Sequence, residues 1–261
     1  MSTIDRRGFL SAGFGGVALS VLPMWGCSSG SVWPPAASIA GPTALGFNGR
    51  RFQTSAESHT LVIVDRDGKV LNVGGLGLTQ EKLNYPTDVA VVNGLAYVVE
   101  CGNHRVQVFD GAGRSVGILG EGVLFHPSGI AVSSTNEIFV SDSRNSRVVG
   151  FNVDGRVTHT LGVGVLSAPH GLAMADDGLL VADPGLRKVL LLGFDGSLRG
   201  EFGSNWVLPW DVATDGKNVF VADVSKAEIA VLTTGGERID SIPINSAPGY
   251  LSFRDDTLYY T

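Results

Sequence analysis

From Leu83 to Gly120 the chain alternates apolar and polar positions in four short runs, each closed by a turn signal. Asp88-Val89-Ala90-Val91 leads to Asn93-Gly94, and Tyr97-Val98-Val99 leads to Glu100. Val106-Gln107-Val108-Phe109 then leads to Ala112-Gly113, and a last run ends at Gly120. Period-2 alternation broken by dipeptides that accept positive φ predicts four antiparallel strands joined by tight hairpins.

The unit recurs. Pro42, Pro86, Pro127, Pro169, Pro209 and Pro248 lie 44, 41, 42, 40 and 39 residues apart, a period near that of one propeller blade. After the central prolines come similar runs: Gly129-Ile130-Ala131-Val132, Gly171-Leu172-Ala173-Met174 and Asp211-Val212-Ala213-Thr214. A first, degenerate copy aligns without a gap, placing Phe52 on Tyr97 and His59 on His104. The sixth supplies only two strands, Pro248 to Thr261, so the last blade is either incomplete or closed by the N-terminal segment, with Ala37–Gly41 as candidate outermost strand. The expected fold is all-β: a six-bladed propeller of four-stranded antiparallel blades over residues 37–261.

Composition agrees. Gly reaches 36 residues, about twice the ~7 % of average proteins, which suits many turns and few long helices. The apolar share of 44 % supports a large core, and the charge of −6 without a basic run argues against a nucleic-acid partner.

Residues 1–27 read as an export signal: a charged start, an apolar run and a small residue before a cysteine. Arg6-Arg7-Gly8-Phe9-Leu10 resembles a twin-arginine signal, whose pathway carries folded proteins. Met24-Trp25-Gly26-Cys27 resembles a lipobox, which makes Cys27 the expected lipidation site. Residues 28–36 then form a Gly/Ser/Pro tether. Without residues 1–26 the chain keeps 17 basic and 24 acidic side chains. Cys101 is expected to be a half-buried structural thiol.

The pattern Pro127-Ser128-Gly129-Ile130-Ala131-Val132, Val140-Ser141-Asp142, Asn145-Ser146-Arg147-Val148 and Phe151 resembles the NHL repeat, and the resemblance extends over about 42–261. It implies a six-bladed propeller. It leaves activity open, because the family includes protein binders, RNA binders and enzymes. Pro169-His170-Gly171-Leu172-Ala173 is also similar to the peptidyl-amidoglycolate lyase propeller, in which inner-strand histidines hold zinc. The matching positions here carry Trp210, Ser128 and Thr87, so no metal site is expected.

Two sets of residues could carry chemistry. An acid ends the second strand of four blades, five residues before a base in three of them: Glu100/Arg105, Asp142/Arg147 and Asp183/Lys188, with Asp223/Glu228 breaking the rule. These read either as a carboxylate ring for a cation or as turn caps paired with the base, and the cap reading is preferred. The second set follows the prolines, at the rim of the channel: Thr87, Asp88, Ser128, His170, Trp210 and Asp211. Their diversity within a repeating frame suits a binding mouth for a protein or small ligand, or else a channel plug. No nucleophile elbow, C-x-x-C pair, haem motif or dinucleotide loop occurs, and nothing implies a cofactor. The expected function is a monomeric, non-catalytic binding or scaffolding propeller of the bacterial envelope, periplasmic or lipid-anchored. The alternative is a metal-dependent lyase or lactonase with its site in the channel.

Overall fold

A computed structural model describes residues 2–5, 10–11, 21–22, 36–37, 42–46, 49–244, 247–254 and 257–261. Six four-stranded antiparallel sheets follow one another in chain order. In the second blade the strands are Pro86–Val92, Leu95–Glu100, Arg105–Phe109 and Ser115–Leu119, each hydrogen-bonded to the next. The third to fifth blades repeat this order, and Thr43–Leu45 opens the first. Helix is confined, among the described residues, to the single turns Ser143–Asn145 and Val224–Lys226.

The core lies between successive sheets. Val99, Val108 and Leu119 of the second blade pack against Ile130, Val140 and Phe151 of the third, all under 9 % exposed. Similar clusters join the first blade to the second and so on to the sixth. Each middle strand is covered on both faces, which is why strands such as Ile138–Asp142 are buried throughout.

The antiparallel path gives the propeller two unlike faces. The prolines, the loops entering each blade and the turns between second and third strands share one, called here the loop face. The remaining hairpin turns form the other, the turn face.

The last blade is closed by the N-terminal segment, one of the two expected arrangements. Leu251–Arg254 and Thr257–Tyr260 are continued by Ser2–Asp5 and Leu10–Ser11, in the order that completes four strands. Ser2 pairs with Tyr260 and Asp5 with Thr257, giving the edge of Thr257–Tyr260 its ladder partner. Of the candidate segment Ala37–Gly41 only Ala37 is among the described residues, and it is not part of that blade's sheet. Ala36–Ala37 pairs instead with Val21–Leu22 in a separate two-stranded sheet.

Cys101 departs from the sequence expectation. It is 3 % exposed and disulfide-bonded rather than a free thiol. Cys27, the expected lipidation site, lies outside the described residues, as do most of residues 1–41.

Candidate functional site: the channel and the loop face

The acid that ends each second strand is a buried anchor for the loop face. Glu100, Asp142, Asp183 and Asp223 have no solvent exposure. Each accepts backbone N–H groups from the loop that enters its own blade: Asn84 to Glu100 (3.0 Å), Phe125 to Asp142 (2.6 Å), Ser167 and Ala168 to Asp183 (2.8 and 3.0 Å), Val207 and Leu208 to Asp223 (both 3.0 Å). The cap reading therefore stands, with two changes. The carboxylates are buried rather than exposed, and the expected pairing holds for Arg105 and Arg147 only. Lys188 pairs instead with Glu201 at 2.6 Å, while Asp223 takes Lys226 at 3.3 Å. Burial raises the Glu100 carboxyl above its ordinary range, opposed by its bonds from Arg105, Asn103 and Asn84.

The turn after the second strand ends in a left-handed residue in those four blades and in the first: His59, His104, Ser146, Arg187 and Ala227, with φ between 49° and 57°. In two blades this residue bridges to the next loop. His59 Nδ1 accepts the Tyr85 N–H (3.0 Å) and His104 Nδ1 accepts the His126 N–H (3.2 Å). The ring of His59 meets Tyr85 edge-on at 4.8 Å, and His104 meets Phe125 at the same distance.

The inner strands enclose a central cavity of about 470 Å³. Of the six residues singled out after the prolines, Asp88 and Asp211 line it, and Thr87, Ser128, His170 and Trp210 do not. Side chains alternate along a strand, and the second residue after the proline lines the channel as Ala44, Asp88, Asp211 and Tyr250, whereas the first residue does so only as Thr43. That second position carries Asp88, Asp211 and also Tyr250, a lining residue missed in the sequence although its offset from Pro248 matches the two aspartates.

The first positions tie blades together at the loop-face end. Ser128 Oγ lies 2.6 Å from Ser143 Oγ, which donates to the Pro169 carbonyl at 2.6 Å. His170 stacks on Trp210 with ring centroids 3.8 Å apart, and Tyr250 lies 6.3 Å from His170. These three rings lie side by side at the loop-face end of blades four to six, and of them Tyr250 lines the channel. Burial holds the His170 ring neutral, its pKa pushed down to about 3, with a bond to the Trp210 backbone opposing. Thr87 Oγ1 and His170 Nδ1 are enclosed with no hydrogen-bond partner among the described residues.

Asp88 and Asp211 stand in blades two and five, on opposite sides of the ring. Asp88 accepts the N–H of Val89 (2.7 Å) and, from the next blade, of Ile130 (2.9 Å). Asp211 accepts those of Val212 (2.8 Å) and Leu251 (2.7 Å). In blade four the same position is Gly171, whose N–H bonds directly to the Trp210 carbonyl at 3.1 Å. A methyl there would collide with the Asp211 carboxylate. Burial pushes Asp88 up to about 7 despite its two backbone bonds. Burial, and then the Asp88 charge, raise Asp211 well above the carboxylate range. Tyr250 is raised by burial and by both carboxylates.

Comparison with known proteins supports the architecture. Residues 83–109 and 126–151 match the NHL repeat. The fold is similar to virginiamycin B lyase from Staphylococcus aureus, at 14 % identity and a TM-score of 0.69 over 86 % of this chain and 78 % of that one. It is similar to a chain of a nidogen/laminin complex (15 %, 0.68, 83 % and 87 %) and to a gluconolactonase from Xanthomonas campestris (17 %, 0.67, 87 % and 86 %). At such identities the likeness shows the fold alone. No curated protein matches the sequence.

Proposed function

We propose that the protein is an exported, monomeric, non-catalytic binding propeller of a bacterial envelope that holds a protein partner on its loop face. The observation that carries this reading is a ring of exposed apolar side chains on the entering loops. Leu76 is 66 % exposed, Leu78 73 % and Val163 68 %, joined by Tyr85, Phe125 and Val207. Such residues grouped on one face mark an interaction surface. Their loops are pinned from below by the buried acids, so little conformational entropy is lost on docking. Channel-mouth residues Thr87, Ser128, His170 and Trp210 act in this reading as the rigid floor between the loops. Export rests on the signal-like residues 1–27.

The alternative, a metal-dependent lyase or lactonase, draws on the likeness to virginiamycin B lyase and the gluconolactonase and on the carboxylates in the channel. Among the described residues no three His, Cys, Asp or Glu side chains converge as a metal would need. His170 is instead stacked on Trp210. No catalytic step follows from this arrangement.

The test is co-purification from the envelope with tagged protein. Phe125→Ser combined with Val163→Ser should lose a partner that wild type retains, with the fold intact by circular dichroism. Full retention would remove the loop face as the site. Replacing Arg6-Arg7 with Lys-Lys should leave the protein in the cytoplasm, and unchanged envelope location would remove the twin-arginine claim.

A further inference from the structure

Beneath the ring stack the channel continues toward the turn face. Its wall sets aliphatic side chains, Val91, Ile130, Val132, Leu172 and Val212, beside polar ones such as Thr43, Thr214 and Ser252. Met174 belongs both to this wall and to two depressions on the turn face, so the cavity reaches that side. No Lys, Arg or His lines it among the described residues, and neither Asp88 nor Asp211 has a cationic partner there. Asp211 is only 7 % exposed. The backbone N–H groups hold both carboxylates in place but bring no positive charge. A buried and a half-buried carboxylate that face this space without a cation are costly to keep charged.

We propose that the channel is a binding site for a small organic ammonium with an apolar body, entering from the turn face, its nitrogen between Asp88 and Asp211 and its hydrocarbon against the aliphatic side chains. An ammonium has three N–H donors to divide between separated carboxylates and the Tyr250 hydroxyl. The face of the Tyr250 ring also attracts a cation. A hard divalent ion fits less well. It needs six or more close oxygens, and here the two acids come from opposite blades, each already fixed by two backbone bonds. This site does not depend on the loop-face reading.

The experiment is calorimetric titration of the full chain at pH 8 with hexylammonium, and with hexanol, hexanoate and calcium as comparisons. Hexylammonium should bind saturably while the other three do not. Asp88→Asn with Asp211→Asn should weaken it at least tenfold. Met174→Lys, which tethers an ammonium inside the same cavity, should abolish it, and this single variant carries the test if the double variant does not fold. Hexanol binding as tightly as hexylammonium would reduce the site to an oily cavity. Calcium displacing hexylammonium would make it a metal site. Unchanged affinity in folded Met174→Lys would place the amine elsewhere. Each of these three results overturns the proposal.

Discussion

Asp88 shows how one side chain can both build the ring and strain it. Its carboxylate joins blade two to blade three through the Ile130 N–H, yet burial pushes its pKa up to about 7. The folded state therefore holds a proton that the unfolded chain releases near pH 4, and stability falls as pH rises from about 4 to about 7. Asp88→Asn should then raise Tm by roughly 5 °C at pH 8 and leave it near wild type at pH 4. An equal shift at both values would remove the buried charge as cause. His170 acts with the opposite sign. Held neutral down to about pH 3, it withdraws stability as pH falls below its unfolded value near 6.5. Residues of this kind were half legible in the sequence. The prolines located the channel rim and, with it, Asp88 and Asp211, but not Tyr250 at the same offset. Two of the second positions are Gly129 and Gly171, which hide the alternation that Asp88, Asp211 and Tyr250 reveal. The left-handed turn ends were not legible, because four different non-glycine residue types occupy the five positions.

At the scale of elements the second to fifth blades could be read in full. Their turn dipeptides, strand-ending acids and proline period all agree with the observed ladders. What the sequence could not show is why the acid recurs: it reaches back to the loop entering its own blade, a contact across about 15 residues that no local pattern encodes. The particular strands that close the seam were not legible for a similar reason. Ser2–Asp5 is too short to display alternation and lies within a segment that reads as a signal. Its pairing with Thr257–Tyr260 has a measurable consequence. A chain lacking residues 1–26 loses both closing strands, at about 1 kcal/mol per ladder bond. Its Tm should drop by roughly 5–10 °C, and amides of 257–260 should exchange faster. Unchanged melting and exchange would show that another segment closes the blade. If export removes the signal, the processed form carries this open edge.

For the whole molecule, fold and function part company. The repeat specifies a six-bladed ring, and solved propellers resemble it over more than four-fifths of the chain. Function depends on what the ring exposes, and exposure is a property of the assembled faces. Leu78, Phe125 and Val163 stand at different positions of their entering loops, Phe125 and Val163 in two copies of one Gly-x-Gly-Val-Leu-x-x-Pro segment, and the antiparallel path brings all three to one side. On the opposite side Val153 and Phe194 are also exposed, but they lie between polar hairpin turns. Cross-linking from single positions separates the two faces directly. A photoreactive residue at 125 or 163, in protein expressed in its own envelope, should yield one discrete adduct that is absent when the same residue stands at 153 or 194. Adducts from the turn face alone would contradict partner docking on the loop face.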